Sequence, residues 1–488
     1  MFTNASPESV GIESKRVRNL LESLEKYGYD THSIIMARGD KIFAEAYYAP
    51  YDKDSLHRMY SVSKSFVAVA VGMAIDDGLL SIDDKLVDLL ADFSPDLSDE
   101  LLTRVTVRDL LSMRTSMAAD LNWWGKPDRV AEYFNRKSNQ VPNTNFFYDS
   151  AGSFLLAAIV EKLTGKPFID YMKDKGLRDF GFSEEAYSLL APGGHSHADS
   201  ALMCKARDLL VFGRLIIGEG AISGRQLVSR DFMKTASSHL SDCLTDGDVP
   251  TDYCNGYGYL FWLMPDGCIC CVGMSDQYIF MDPKNNFVFA MTSENKDMTA
   301  TTRPLLFHMI FNDIRPYFSD PLPECPEEYK KLVDYTSNCV LAHQKKKDIS
   351  PLASQISGKT YALSENSKGM TSLRLDFSGD AGVLSFEDGD GKWNIEFGIG
   401  YNKFGKFPGT RRMSKTASVY EDGAYDCAAS AEWIEERKLK ITVRVIDTFL
   451  GKVIFNLGFD GEDISIITLR HAQRILDDYR FRTVGKMI

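Results

Sequence analysis

A serine and a lysine three residues apart, Ser61 and Lys64, stand at the head of a long apolar segment. Residues i and i+3 share one face of a helix, so this spacing predicts a hydroxyl nucleophile within reach of an amine base. Residues 66–75 are apolar around the whole circumference, which indicates a buried helix. Burial and the positive end of the helix dipole both disfavour an ammonium, so we expect Lys64 to be the neutral amine that accepts the serine proton.

A second pair of hydroxyl groups, on Tyr148 and Ser150, follows a loop at residues 142–147 and precedes a helical segment. A loop position lets both side chains project into a cleft. A serine hydrolase with a lysine base commonly needs a second group that moves protons, and Tyr148 is the candidate. Taken alone, the pair favours a structural tyrosine over a catalytic one, since most of the 22 tyrosines in the chain are expected to be structural.

Composition narrows the class of function. The 488 residues carry a formal net charge of −12, which argues against a nucleic acid or an anionic membrane as partner. No apolar run reaches the roughly 18 residues that a membrane-spanning helix needs. The N-terminus has no charged leader before an apolar stretch, so no secretory signal is expected unless it was trimmed. Nine irregularly spaced cysteines are typical of reduced thiols in a cytoplasmic protein.

The first two thirds of the chain read as one α+β domain, over residues 1–320. A hairpin is predicted around Gly39, and helical patterns then dominate to about residue 235. Strands return at residues 257–263, 268–272, 277–281 and 287–292. This order predicts an antiparallel sheet, flanked by helices, that joins both ends of the segment. Residues 321–352 contain several prolines and are expected to form a connector with one helix, near residues 327–343.

From Gly358 onward, apolar and polar residues alternate at period two, and Gly/Asp turns separate the segments. Eight or so such strands without helices predict an antiparallel β-barrel-like or sandwich domain over residues 353–488. Three roles stay open for it: binding a ligand in its mouth, shaping the rim of an active site, or mediating dimerisation. A homo-oligomer is therefore one possible assembly.

The order of the motifs resembles that of serine β-lactamases and penicillin-binding proteins, in which Ser-x-x-Lys precedes a Tyr-x-Asn/Ser loop and a late Lys/His-x-Gly strand. Residues 56–66 look most like class C β-lactamases and their esterase and amidase relatives, and the resemblance covers roughly residues 8–315. It implies a β-lactamase-like fold and acyl transfer to water through an acyl-enzyme on Ser61. Lys64 would be the base and Tyr148 the proton relay to the leaving group, without a metal or organic cofactor.

The third motif departs from the family pattern, because it falls on the stretch Cys271-Val272-Gly273. Gly273 keeps the close backbone approach that a strand beside a substrate needs. Cys271 cannot supply the cation that in the family helps to hold a substrate carboxylate. By analogy, the backbone N–H groups of Met274 and Ser61 would form the oxyanion hole.

Ser150 replaces the asparagine of the second motif and is expected to hydrogen-bond to Lys64 or to the substrate. These departures argue against efficient β-lactam hydrolysis. The leading interpretation is a serine hydrolase of a small ester, amide or peptide. A D-amino-acid-directed peptidase or weak β-lactamase is the alternative within that class. A catalytically inactive protein that binds a peptide or ligand is the alternative from another class.

Other reactive side chains favour structural interpretations. His195 and His197 have no acidic or cysteine partner at ligand spacing, so no metal site is predicted. Cys268, Cys270 and Cys271 read as small apolar strand residues. Five aromatic residues either line a substrate pocket or pack in the core: Trp123, Trp124, Tyr253, Tyr257 and Trp262.

Overall fold

The computed structural model describes residues 2–117, 126–243, 253–295, 299–341, 348–413, 420–472 and 474–488. The α-helices in these ranges are α1 (Ser14–Lys26), α2 (Val62–Asp76), α3 (Leu86–Leu89), α4 (Val107–Leu111), α5 (Arg129–Phe134), α6 (Ser150–Thr164), α7 (Phe168–Asp174), α8 (Ala206–Ile217), α9 (Arg230–Ala236), α10 (Thr299–Met309), α11 (Pro326–Thr336) and α12 (Leu352–Ile356). No helix in the described part of the chain has the length and apolar character needed to cross a membrane.

The strands, in chain order, are β1 (Thr3–Asn4), β2 (Thr31–Arg38), β3 (Lys41–Tyr47), β4 (His57–Arg58), β5 (Tyr187–Ser188), β6 (Leu202–Cys204), β7 (Ala221–Ile222), β8 (Arg225–Gln226), β9 (Gly256–Tyr257), β10 (Trp262–Leu263), β11 (Ile269–Gly273), β12 (Gln277–Asp282), β13 (Phe287–Ser293), β14 (Lys359–Leu363), β15 (Ser372–Ser378), β16 (Ala381–Asp388), β17 (Gly391–Ile399), β18 (Lys403–Lys406), β19 (Arg411–Met413), β20 (Tyr420–Asp422), β21 (Asp426–Glu435), β22 (Lys438–Ile446), β23 (Leu450–Asp460), β24 (Asp463–Ala472) and β25 (Arg482–Met487).

The first sheet has the order β1-β3-β2-β13-β12-β11-β10-β9. Its central pair joins distant parts of the chain, because β2 and β13 run antiparallel with Ile35 opposite Ala290. Both faces of these strands are buried, and α8 packs against β12 and β13. The predicted α+β sheet that joins both ends of the segment is therefore confirmed.

Helix α2 lies in the centre of this first part of the molecule. Every residue from Val62 to Ala74 is buried, as the all-round apolar pattern predicted. The helix packs against α6 and α7, and its N-terminus approaches β11. The sequence around Ser61 is thus held in the core rather than on an exposed face.

One strand prediction is wrong: residues 257–263 do not form a single strand. They fold back as the short antiparallel pair β9 and β10, with Trp262 opposite Tyr257. Leu260 takes a left-handed conformation in the turn, with φ of 58°. A Cβ at Gly258 would lie 2.0 Å from the carbonyl oxygen of Ala236, so the chain needs glycine at this reversal.

The C-terminal strands close into a barrel, as the period-two alternation predicted. The order β17-β16-β15-β14-β25-β24-β23-β22-β21 returns to its start through a pairing of β17 with β21, and β18 adds to β21. The inward side chains form an apolar core of leucine, isoleucine, valine and aromatic residues. The predicted domain boundaries at residues 320 and 353 stay predictions.

A disulfide joins Cys243 and Cys254. The expectation that the cysteines are reduced thiols is therefore wrong for this pair. The irregular spacing of the cysteines did not indicate this pair, whose members are 11 positions apart. Cys268, Cys270 and Cys271 carry free thiols and are buried in and beside β11.

Candidate active site

Ser61 and Lys64 meet at the start of α2. Ser61 is the N-cap residue, and its Oγ lies 2.9 Å from Nζ of Lys64. Only 2% of the Lys64 surface is exposed. The hydroxyl and the amine are therefore neighbours in a site from which most water is excluded.

Lys64 has a second contact that the sequence did not indicate. Its Nζ donates a hydrogen bond to the backbone carbonyl of Asp199, at 2.6 Å. The Asp199 carboxylate accepts two hydrogen bonds from the guanidinium of Arg129, at 2.7 and 3.1 Å. Burial opposes the charge of Asp199, but Arg129 holds the pKa of this carboxyl well below its usual range. This ion pair fixes the carbonyl that orients the lysine.

The segment with the two histidines leads directly into Asp199. Nε2 of His197 lies 3.6 Å from the Asp199 carboxylate, and burial lowers the pKa of His197 to about 3. His195 is near the carboxylate of Glu161, at 3.2 Å. Neutral His197 therefore packs beside the ion pair, and the two histidines have separate partners.

Tyr148 stands over the amine of Lys64, with 5.1 Å between Nζ and the centre of the ring. Its ring stacks on Trp262 at 5.7 Å and meets Tyr257 edge-on. The next residue, Asp149, caps α6 through a hydrogen bond from the Ala151 N–H. The cap and the aromatic neighbours hold Tyr148 at the site.

Ser150 is the first residue of α6 and is half-buried. Its carbonyl accepts a hydrogen bond from the Ser153 hydroxyl. Among the hydrogen bonds of the described residues, none joins the Ser150 hydroxyl to Lys64. The Ser150 hydroxyl was expected to bond either to Lys64 or to the substrate, and the contact with Lys64 is not formed.

The third motif lies at the end of β11, next to the residues before Ser61. A Cβ at Gly273 would lie 2.5 Å from the carbonyl oxygen of Met59, so only glycine allows this approach. Cys271 is fully buried, and burial raises the pKa of its thiol to about 12, so it is neutral. The position therefore carries no positive charge.

Two backbone donors are available beside this strand end. In the described structure, no hydrogen bond is donated by the N–H of Ser61 or of Met274. Tyr60, which precedes Ser61, has a left-handed backbone with φ of 47°, uncommon for a bulky residue. Unusual backbone conformations of this kind cluster at active sites.

The aromatic candidates separate into three groups. Tyr257 and Trp262 pack around Tyr148 at the site. Tyr253 instead contacts Phe307 and Phe311 in the core. Trp123 and Trp124 lie outside the described residues.

Comparison with known proteins identifies the family to which the fold belongs. The Beta-lactamase family model matches residues 17–305. The chain is 24% identical over 291 residues to the 6-aminohexanoate-dimer hydrolase of Paenarthrobacter ureafaciens, covering 55% of this chain and 73% of that protein. It is 30% identical over 138 residues to penicillin-binding protein 4 of Amycolatopsis lactamdurans, covering 27% and 36%.

Among solved structures, the chain is similar to "EstCE1, a hydrolase with promiscuous acyltransferase activity". The TM-score is 0.50 at 14% identity, over 61% of this chain and 98% of that one. At this level of identity the likeness shows the shared fold.

Proposed function

Because the chain belongs to the Beta-lactamase family and is a hydrolase of that family, we propose that it cleaves a small ester or amide through an acyl-enzyme on Ser61. The observation that carries the proposal is the distance of 2.9 Å between Ser61 Oγ and Lys64 Nζ. This is the reach that a nucleophile and its general base require.

In the first step, Ser61 Oγ bonds to the substrate carbonyl carbon while its proton passes to the amine of Lys64. The N–H groups of Ser61 and Met274, which donate to no other group in the described structure, receive the oxyanion. Tyr148 then passes a proton to the leaving alcohol or amine as the carbon–oxygen or carbon–nitrogen bond breaks. Its ring beside Lys64 supports this role.

In the second step, water attacks the acyl-enzyme and its proton returns through the same groups, which releases the carboxylic acid and free Ser61. The carbonyl of Asp199 keeps Lys64 directed at the hydroxyl throughout. Ser150, at the entrance to α6, is proposed to hydrogen-bond to the substrate.

Labelling with a fluorophosphonate probe tests this function. We expect the probe to bond to Ser61, as shown by peptide mapping, and labelling to be lost in Ser61→Ala and Lys64→Ala. The matched control is Ser63→Ala, a neighbouring buried serine whose hydroxyl accepts a hydrogen bond from the Leu202 N–H. An unlabelled wild-type Ser61 at high probe concentration would favour a binding protein without catalytic activity.

Nitrocefin separates the proposal from a β-lactamase or a D-amino-acid-directed peptidase. The neutral, buried thiol of Cys271 cannot attract the carboxylate that β-lactams carry. We therefore expect no measurable nitrocefin turnover by a preparation that the fluorophosphonate labels. Rapid turnover would contradict the substrate class proposed here.

A further inference from the structure

The barrel contacts the first part of the molecule beside the proposed active site. Strands β22 and β23 form a hairpin in which Ile446 pairs with Leu450 across a turn. Leu450 is 1% exposed and forms one apolar cluster with Tyr51 and Tyr60. Ile446 and Met274 pack against the same cluster. The tip of the hairpin therefore packs against Tyr60, which precedes Ser61, and against Met274.

Both segments that carry the proposed oxyanion donors meet this cluster. Tyr60 shares a peptide group with the N–H of Ser61, and Met274 carries the second N–H. A change in the backbone of either residue would turn a donor away from the substrate oxygen. The left-handed backbone of Tyr60 needs surroundings that hold it. Leu450 belongs to those surroundings.

Arg58 links the hairpin to Tyr60 a second time. Its guanidinium carbon lies 5.1 Å from the centre of the Tyr60 ring and 4.6 Å from that of Phe449 in the hairpin turn. Nε of Arg58 donates to the carbonyl of Ser200, at 3.0 Å. The cation is buried between the two rings, so Tyr60 is confined from two sides.

An ionic contact holds the hairpin close to its tip. The buried carboxylate of Asp30 accepts hydrogen bonds from Arg444 on β22, at 3.1 Å, and from Lys452 on β23. One cation thus comes from each strand. Asp30 itself follows α1 in the first part of the molecule, and its N–H donates to Asn295 at 2.9 Å. The hairpin is therefore anchored by this ionic contact as well as by the apolar contacts of its tip.

We infer that the β22–β23 hairpin of the barrel holds the oxyanion hole in its working geometry, with Leu450 as a positioning residue that acts through Tyr60 and Met274. The inference rests on the proposed function of Ser61. It assigns the barrel a direct part in the chemistry, because the donors belong to one domain and their support to the other.

The test compares two leucines of the same strand. Leu450 and Leu457 are both 1% exposed, but Leu457 faces the interior of the barrel. The readout is the rate of fluorophosphonate labelling at Ser61, separated into probe affinity and the maximal rate, because the phosphonyl oxygen occupies the oxyanion hole. We expect Leu450→Ala to lower the maximal rate by roughly 10- to 100-fold with little change in affinity.

Leu457→Ala is expected to lower the denaturation midpoint and to leave the maximal labelling rate unchanged. Leu450→Met should restore most of the rate, since it keeps the volume. Should Leu450→Ala fail to fold, Leu450→Val and Leu457→Val form the matched pair.

Equal rates in Leu450→Ala and wild type would overturn the inference, as would an equal loss in Leu457→Ala. Either result leaves the proposed function intact, because wild-type labelling is measured in the same series. If the wild-type Ser61 is not labelled, the proposed function fails and this inference fails with it.

Discussion

Lys64 in the first part of the molecule is buried, Lys368 in the barrel has a side chain that is 12% exposed, and the partners of the two lysines differ. In the barrel, Lys368 pairs with the carboxylate of Asp388 at 2.5 Å. At the head of α2, Lys64 contacts a hydroxyl and a backbone carbonyl, while the nearby carboxylate of Asp199 is occupied by Arg129. Lys368 thus contacts a charged carboxylate, whereas Lys64 contacts a hydroxyl and a carbonyl, which carry no charge. The difference separates a structural lysine from a candidate base.

The side chains in the interiors of the two parts of the molecule also differ. The described core of the barrel consists of apolar side chains. In the first part of the molecule, by contrast, the buried polar residues Lys64, Asp199 and Arg129 lie beside the hydroxyl of Ser61. Of the three roles open to the barrel from sequence, its contacts with Tyr60 and Asp30 favour the shaping of the active site.

The largest expected effect comes from the lysine that contacts the serine. Lys64→Ala should lower kcat for ester hydrolysis by about 10³- to 10⁴-fold, because the general base is lost. The comparison is Lys173→Ala, which removes another buried lysine that donates to backbone carbonyls, those of Glu184 and Ala186. Steady-state kinetics should show kcat unchanged in the control. A similar loss in both variants would mean that Lys64 has only a structural role.

The next comparison is between two buried carboxylates, Asp199 beside Lys64 and Asp388 in the barrel. Asp199→Asn should destabilise the fold by about 3–5 kcal/mol, because it leaves the buried cation of Arg129 without its partner. It should also lower kcat, since the carbonyl that orients Lys64 shifts. Asp388→Asn breaks the barrel ion pair and should cost stability alone. Urea unfolding and kcat should be measured on both variants. A loss of kcat in Asp388→Asn as large as that in Asp199→Asn would contradict this account.

Acid should weaken the contact between barrel and catalytic region. Burial alone would raise the pKa of Asp30, but Arg444 and Lys452 hold it well below the usual range. Its contribution to stability, on the order of 2–3 kcal/mol, is present above about pH 4 and is lost as the pH falls further. Buried His32 and His57, whose pKa values burial lowers, add acid destabilisation that begins nearer pH 6.5.

The pH dependence of the unfolding midpoint, compared between wild type and Asp30→Asn, isolates the carboxylate. The variant should be less stable at neutral pH, and its profile should approach that of wild type below about pH 4. Parallel profiles at all pH values would rule out the carboxylate as the acid-sensitive contact.

The smallest expected effect belongs to Ser150. Because its hydroxyl does not bond to Lys64, Ser150→Ala removes at most one hydrogen bond to the substrate, a loss of about 1 kcal/mol. We expect kcat/KM to fall by up to about tenfold. Ser153→Ala, on the same helix and with its hydroxyl bound to a helix carbonyl, is the control. A loss of several hundredfold would assign Ser150 a part in proton transfer.

Local features of the site were predictable from the sequence, and distant ones were not. The contact between Ser61 and Lys64 follows from helix geometry over three residues. The barrel follows from alternation within each strand. The carbonyl of Asp199 lies 135 residues from Lys64, and Leu450 reaches Tyr60 from another domain. No spacing or composition marks such contacts, because they depend on how the finished elements pack.

The reversal at Gly258 was missed for a related reason. Its neighbours are aromatic and apolar and therefore look like a continuous strand. The backbone approach to Ala236 that requires a glycine exists only in the folded chain. The disulfide between Cys243 and Cys254 was hidden in the same way.

The most direct test of the central claim is to trap the covalent intermediate. A chromogenic acetate ester is mixed with excess protein, the reaction is quenched with acid, and the protein is mapped by mass spectrometry. The account predicts a burst of the leaving phenol and one acetyl group on Ser61, absent from Ser61→Ala and retained in Ser63→Ala. Ester hydrolysis without a burst and without an acyl group on Ser61, or with the acyl group on another residue, would contradict it.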